Sequence, residues 1–234
     1  MKKNVIKSIL GFSAVLLFAG TVLSGCGKKD SKELSKKEIT VGVTAGPHQQ
    51  IMEEVAKQAK KDGLKIKIKS FTDYNTPNSA LSSGDLDANS YQTIPFLKDQ
   101  IKNKGYKFDQ AFKTVAYPMG VYSKKIKSLK DLKDGDSIAV PNDASNETRG
   151  LQLFEKAGII KLKKGVGQTA TKKDVVSNPK HLKIIELEAS QLPKQLGEVT
   201  AAAINTNFAM GAGLSINENA IFHEPLKNNP YPNV

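Results

Sequence analysis

From Glu38 onward, short apolar strands alternate with segments of helical periodicity. That alternation restricts the chain to an α/β fold with mainly parallel sheets flanked by helices, because each strand–helix–strand unit crosses over right-handed and covers a sheet face. Residues 38–43 (EITVGV) read as a strand, and Gly46 and Pro47 turn it into a helix over 49–61. Ile51, Met52, Val55, Ala56 and Ala59 give that helix an apolar stripe, and Gly63 is placed to end it. Residues 64–69 (LKIKIK) alternate strictly and form the second strand. A short helix opens at Thr76-Pro77 and stops at Gly84, followed by a strand over 86–91, a helix over 95–104 and a strand over 112–117. Pro118 marks a first crossing into a second lobe, with 119–123 extended and a short helix over 128–132. Further strands are expected at 182–187 (LKIIEL) and 201–205 (AAAIN), with helical patterns around Val175, Leu192 and Phe208.

The first 25 residues stand apart from this pattern. Lys2, Lys3 and Lys7 precede an almost wholly apolar run from Ile9 to Leu23, the layout of a secretory signal peptide rather than of a membrane span. The run ends in Leu23-Ser24-Gly25-Cys26, and Cys26 is the only cysteine. The tetrapeptide resembles a bacterial lipobox, in which the cysteine is lipidated and becomes the first mature residue. With no second cysteine, structural disulfides and cysteine metal clusters are excluded. Residues 28–37 (KKDSKELSKK) are nearly free of apolar side chains and read as a flexible tether. The net charge of +12 comes from scattered lysines without interleaved aromatics. It suits the surface of an anionic membrane better than nucleic acid, which is not an expected partner.

Residues 138–150 (IAVPNDASNETRG) form the most informative stretch. A short apolar strand breaks at Pro141-Asn142, and Asp143, Ser145 and Asn146 can start a helix. Arg149 on that helix is the only arginine among 35 basic residues. Its planar fork can grip a carboxylate with two parallel bonds, and a helix N-terminus after a strand supplies free N–H groups for an anion. The segment therefore reads either as a carboxylate holder or as an ordinary strand–turn–helix with a surface arginine.

Catalytic patterns are missing. No nucleophile elbow, phosphate-binding loop or dinucleotide fingerprint occurs, and His48, His181 and His223 share no metal-ligand spacing. His48 follows the Gly-Pro turn and reads as a loop or first-turn residue. An enzyme, a cofactor or a metal is not expected. Tyr74, Tyr91 and Asn205, by contrast, lie at or just beyond the carboxyl ends of strands, where ligands of open α/β sheets collect. Each tyrosine alone reads equally as core or rim packing; together they could wall an apolar ligand while Asn and Arg fix a polar end.

Four strings then carry a resemblance over about 38–234: FTDYNTPNSALSSGDLDANSYQ, YPMGVYSKKIKSLKDLKDG, IAVPNDASNETRGLQLFEKAGIIKLKKGVG, and IELEASQLPKQL followed by AAAINTNFA. They resemble the NlpA/MetQ-type methionine-binding lipoproteins, the substrate-binding proteins of methionine ABC importers. The resemblance implies a two-lobed periplasmic-binding-protein-like fold of the second type. The chain would divide into a signal peptide (1–25), a lipidated tether (26–37), lobe one (38–117), lobe two (118–230) and the start of a return to lobe one (231–234). It would sit on the extracytoplasmic face of the cell membrane through its lipid anchor. It would capture methionine of either hand and deliver it to an ABC permease with its ATPase subunit. By motif the ligand-binding residues fall on Tyr74, Tyr91, Asn146, Arg149, Asn205 and Asn233, with lipidation at Cys26. Arg149 would hold the α-carboxylate, Asn205 and Asn233 the amino-acid end, and Tyr74 and Tyr91 would wall the thioether.

Two departures qualify that picture. Many family members have a histidine directly after the aromatic-Gln pair, whereas Tyr91-Gln92 is followed by Thr93. That change suggests a methionine-containing dipeptide of the Gly-Met kind as an alternative ligand. Family members also continue past the YPNV string with another strand and a helix that complete lobe one. Lacking them, lobe one is expected to expose a sheet edge and apolar surface, melt lower and respond less to methionine. A non-transporting surface lipoprotein, or a degenerate remnant, is the reading from a different class.

Overall fold

A computed structural model describes residues 34–234; the signal segment, Cys26 and most of the tether lie outside them. Strand β1 (Glu38–Thr44) leads through Gly46, at φ +96°, into helix α1 (Pro47–Lys61). Proline at the first helical position is preset for the turn, and Lys60 and Lys61 face the negative end of the helix dipole. Strand β2 (Lys65–Phe71), helix α2 (Thr76–Ser83) and strand β3 (Ala88–Ser90) complete a three-stranded parallel sheet in the order β2-β1-β3. Helix α3 (Ile94–Lys104) follows, its N-terminus capped by Thr93 and its end set by Gly105 in the left-handed region.

The second sheet is larger. Strands β4 (Gly120–Tyr122) and β5 (Ser137–Pro141) precede helix α4 (Ala144–Lys156). The small pair β6 (Lys161–Leu162) and β7 (Val175–Ser177) precedes β8 (Lys183–Leu187) and β9 (Ala201–Ile204). Helices α5 (Thr206–Gly211) and α6 (Ile216–Asn219) lead to β10 (Ala220–His223). Five strands stand in the order β10-β4-β9-β5-β8, with β5 parallel to both of its neighbours and β4 antiparallel to both of its own. Burial follows this inequality. Ile138, Val140, Leu151, Phe154 and Ala203 belong to an extensive core on one face of this sheet, and Ala139, Leu192, Leu196 and Ile204 to one on the other. The first sheet's own cluster is only Phe71, Ala80 and Leu86.

Three expectations need correction. Residues 112–117 are not a strand: Ala116 alone bridges to Pro232, and Thr114 and Val115 bond to Asn233. The pairing is confined to Pro232 and Asn233, and Phe112 is 70 % exposed. Val175 opens β7 rather than a helix, after a single 3-10 turn at Lys172–Asp174; β-branched Val175-Val176 favours the extended form. The apolar stripe of α1 is real in period but incompletely covered, with Ile51 and Val55 46 % and 43 % exposed.

Candidate functional site

The parallel strands of both sheets point their carboxyl ends at one cleft. Its wall contains His48 after β1, Tyr74 after β2, Tyr91 after β3, Asn146 and Arg149 after β5, and Asn205 after β9. Asn233 joins them from the C-terminal segment, so all six sequence-predicted ligand residues line a single cleft. His48, Gln92, Phe96, Tyr117, Thr206 and Asn207 also line it, beyond the sequence-predicted set, and so does Thr93, where many family members have a histidine. The signal for His48 was present, since it follows a strand end as Tyr74 does. Asn207 stands two places beyond Asn205 in the same INTNF string.

The aromatic wall is continuous. Tyr74, Tyr91 and Phe96 sit with ring centroids 5.9–6.0 Å apart, and Tyr74 also meets Phe208 of the other sheet's side at 4.8 Å. Tyr91 donates its hydroxyl to the Tyr74 carbonyl at 3.0 Å, and Tyr74 donates to Asn207 Oδ1 at 2.5 Å. Burial pushes both phenols far above their ordinary range, so they remain neutral donors. Behind Tyr91, Asn78 and Gln92 exchange amide hydrogen bonds at 2.9 Å and hold this loop rigid.

Arg149 is buried, and its fork is already engaged. Nε donates to Glu224 Oε1 at 2.8 Å and Nη2 to Glu224 Oε2 at 2.5 Å, while Nη2 also reaches the Tyr117 carbonyl at 2.6 Å. The guanidinium lies 4.3 Å from the centre of the Tyr231 ring. The expectation of a bidentate grip on a ligand therefore changes: the two-bond edge holds Glu224, and Nη1 is the guanidinium nitrogen with no hydrogen bond to a described residue. Burial alone would raise the Glu224 carboxyl, but Arg149, Asn229 and the Met119 N–H hold it below its usual value. The site arginine is thereby an internal ion pair aimed by its partner.

The amides form an ordered chain. Asp143 caps α4, accepting from the Asn146 backbone N–H at 3.0 Å and from Asn146 Nδ2 at 2.9 and 3.0 Å. Asn146 Oδ1 accepts from Asn205 Nδ2 at 2.9 Å, and Asn205 Oδ1 is buried without a partner. Asn233, also on the wall, donates Nδ2 to the Val115 carbonyl at 2.8 Å. The Tyr117 hydroxyl is a second buried polar group with no partner, and its ring stands edge-on to His48 at 5.1 Å. Burial lowers His48 to about 4, so the imidazole is neutral at pH 7 and, among the described residues, Arg149 is the one charged group on the wall. The unpartnered Asn205 Oδ1 and Tyr117 hydroxyl share this wall with one guanidinium and the aromatic rings, a set of groups that suits a small ligand with a carboxylate, a donor-rich end and an apolar arm.

The residues 39–234 match the family model of the NlpA lipoproteins. The chain belongs to the NlpA lipoprotein family. Among NlpA relatives, the D-methionine-binding lipoprotein MetQ of Salmonella typhimurium is 49 % identical over 227 residues, which cover 95 % of this chain and 82 % of that one. A nutrient-binding protein from Burkholderia cenocepacia, solved bound to methionine, is 52 % identical with a TM-score of 0.81 over 84 % of this chain and 83 % of that one. An ABC-transporter periplasmic substrate-binding protein from Coxiella burnetii is also 52 % identical, with a TM-score of 0.80 and the same coverage of 84 % and 83 %. The NlpA fold seen in these structures is the mixed α/β arrangement described above.

Proposed function

We propose that this chain captures methionine outside the cytoplasmic membrane and delivers it to an ABC permease and its ATPase subunit. The observation that carries the reading is the pairing, in one cleft, of the free Arg149 amine with the unpartnered Asn205 Oδ1, next to the ring wall of Tyr74, Tyr91 and Phe96. In this reading Arg149 Nη1 holds the α-carboxylate, Asn205 and Asn233 accept from the ammonium, and the rings enclose the thioether. Asn146 acts through Asn205, because both ends of its amide are occupied. The relatives known to bind methionine support the same ligand class.

Magnitudes require both ends of the ligand. Burying a methionine side chain contributes roughly 1.5–3 kcal/mol, and a hydrogen bond to a charged group about as much. Association costs about 4–15 kcal/mol, so neither end suffices alone. The proposal extends to a signal peptide over 1–25, lipidation at Cys26 and a tether over 26–37. It places lobe boundaries at 117/118 and 230/231, with the protein held at the extracytoplasmic face. Calorimetry of the detergent-solubilised chain against L- and D-methionine, Gly-Met and other amino acids tests it. Methionine binding in the parent and its loss in Arg149→Ala are expected. Unchanged binding in that variant would refute the carboxylate assignment, and a response to Gly-Met alone would replace the ligand with the dipeptide.

A further inference from the structure

An amide presents an acceptor at one end and a donor at the other, and which end faces a ligand decides whether an ammonium is welcomed or repelled. In this cleft the choice is made two residues away from the ligand. Asp143 accepts through both side-chain oxygens: Oδ1 takes the Asn146 N–H, Asn146 Nδ2 and, at 3.3 Å, the Ser145 hydroxyl, and Oδ2 takes Asn146 Nδ2 at 3.0 Å. Burial raises the Asp143 carboxyl while the Asn146 and Ser145 donors pull it back down; in the ionised form those donors favour it has no hydrogen to give, so Asn146 turns Nδ2 toward it and Oδ1 away. Asn146 Oδ1 then accepts from Asn205 Nδ2. Asn205 in turn keeps its second Nδ2 hydrogen and its Oδ1, and Oδ1 is the atom of that amide that is buried with no partner at all, on a residue of the cleft wall. Asn146 and Asn205 are 4 % and 6 % exposed, so water offers neither amide an easy alternative partner.

We infer that Asp143, which is not part of the cleft wall, is a specificity-determining positioning residue: its accept-only carboxylate polarises the Asn146–Asn205 amide pair so that the cleft presents an acceptor to a ligand ammonium. The inference rests on the methionine reading above. It differs from a purely structural role for Asp143 as a helix cap, because capping affects stability and leaves ligand selectivity alone. Replacing Asp143 by asparagine retains a good cap but supplies a donor. Asn146 can then reverse, Asn205 can follow, and Nδ2 can face the ligand.

The test compares dissociation constants for methionine and for its hydroxy-acid analogue, in which a hydroxyl stands where the ammonium does. A hydroxyl can donate or accept; an ammonium can only donate. Calorimetry on the solubilised full chain is expected to show a parent that prefers methionine. In D143N the ratio of the two constants should shift toward the hydroxy acid by about tenfold or more, the scale of a hydrogen bond to a charged group. D143S also caps a helix and should move the ratio in the same direction. N205D alone sets an acceptor against Asn146 Oδ1 and should lose methionine. D143N/N205D should recover it, because Asn146 is then able to donate to the new carboxylate. A ratio unchanged in both D143N and D143S, or a double variant no better than N205D, overturns the inference while leaving the methionine reading intact. A parent that binds neither compound overturns that reading and this inference with it.

Discussion

Removing Glu224 would strand a buried cation, because Arg149 directs Nε and Nη2 at its two oxygens and is 4 % exposed. Breaking a buried pair from one side costs about 3–5 kcal/mol, much of it the penalty of the charge left behind. Glu224→Ala is therefore expected to lose that much in denaturant unfolding, far more than any exposed pair such as Lys57–Glu54 would cost. It should also weaken methionine binding, since the two bonds to Glu224 fix the orientation of the Arg149 guanidinium on the cleft wall. The only arginine was visible in the sequence; its partner was not. Glu224 stands 75 residues further along, in a stretch with no motif of its own.

At the level of the element, α4 is where sequence and tertiary packing meet most closely. Asp143 caps it, Asn146 and Arg149 face the cleft, and Gly150 lets it approach the sheet. A methyl group on Gly150 would lie 3.0 and 3.2 Å from two Val140 side-chain carbons and 3.4 Å from the Ala203 Cβ. Alanine gains about 0.5–1 kcal/mol over glycine inside a helix, but overpacking costs about 1–3 kcal/mol. Gly150→Ala is thus expected to lower the denaturant midpoint rather than raise it.

The same helix carries Glu147, which accepts from the Lys172 N–H at 2.8 Å. Burial first, and the adjoining Glu186 carboxyl after it, push Glu147 up to about 7 from an ordinary 4.5, against the opposing effect of that N–H. A raised carboxyl contributes stability that is fully present below about 4.5 and is lost as pH rises through about 7. Glu147→Gln removes this term, so its melting temperature relative to the parent should climb between pH 5 and pH 8. A flat difference across that interval would mean that Glu147 does not titrate there.

Across the whole molecule, the cleft is closed by contacts that neither sheet makes alone. Tyr74, beyond β2, donates to Asn207 of α5 and packs on Phe208, while Gly46 brings its backbone against Asn207. The crossings between the sheets are tied together where the Met119 N–H donates to Glu224 Oε2 at 2.8 Å and the Glu224 N–H to the Met119 carbonyl at 3.0 Å. Arg149 anchors to that junction through the Tyr117 carbonyl. The cleft wall and the junction of the two sheets are thus joined at one arginine. Tyr74→Phe removes the cross-cleft hydrogen bond and keeps the ring. Stopped-flow release of methionine should accelerate about threefold to tenfold, the worth of one such bond, with little change in melting temperature without ligand.

What the sequence determined by itself was local and periodic. Alternation specified the parallel strands, Thr93 and Asp143 capped their helices, and strand ends placed Tyr74, Tyr91 and Asn205 near a common cleft. Those features depend on neighbours a few residues away, which periodicity records. Tertiary structure alone decided which atoms remain free inside the cleft. It assigned the Arg149 fork to Glu224, left Asn205 Oδ1 buried without a partner, and brought His48 and Asn207 onto the wall. Each outcome depends on pairing between groups far apart in the chain, where hydrogen-bond direction and burial, rather than residue type, settle what a side chain has left to offer.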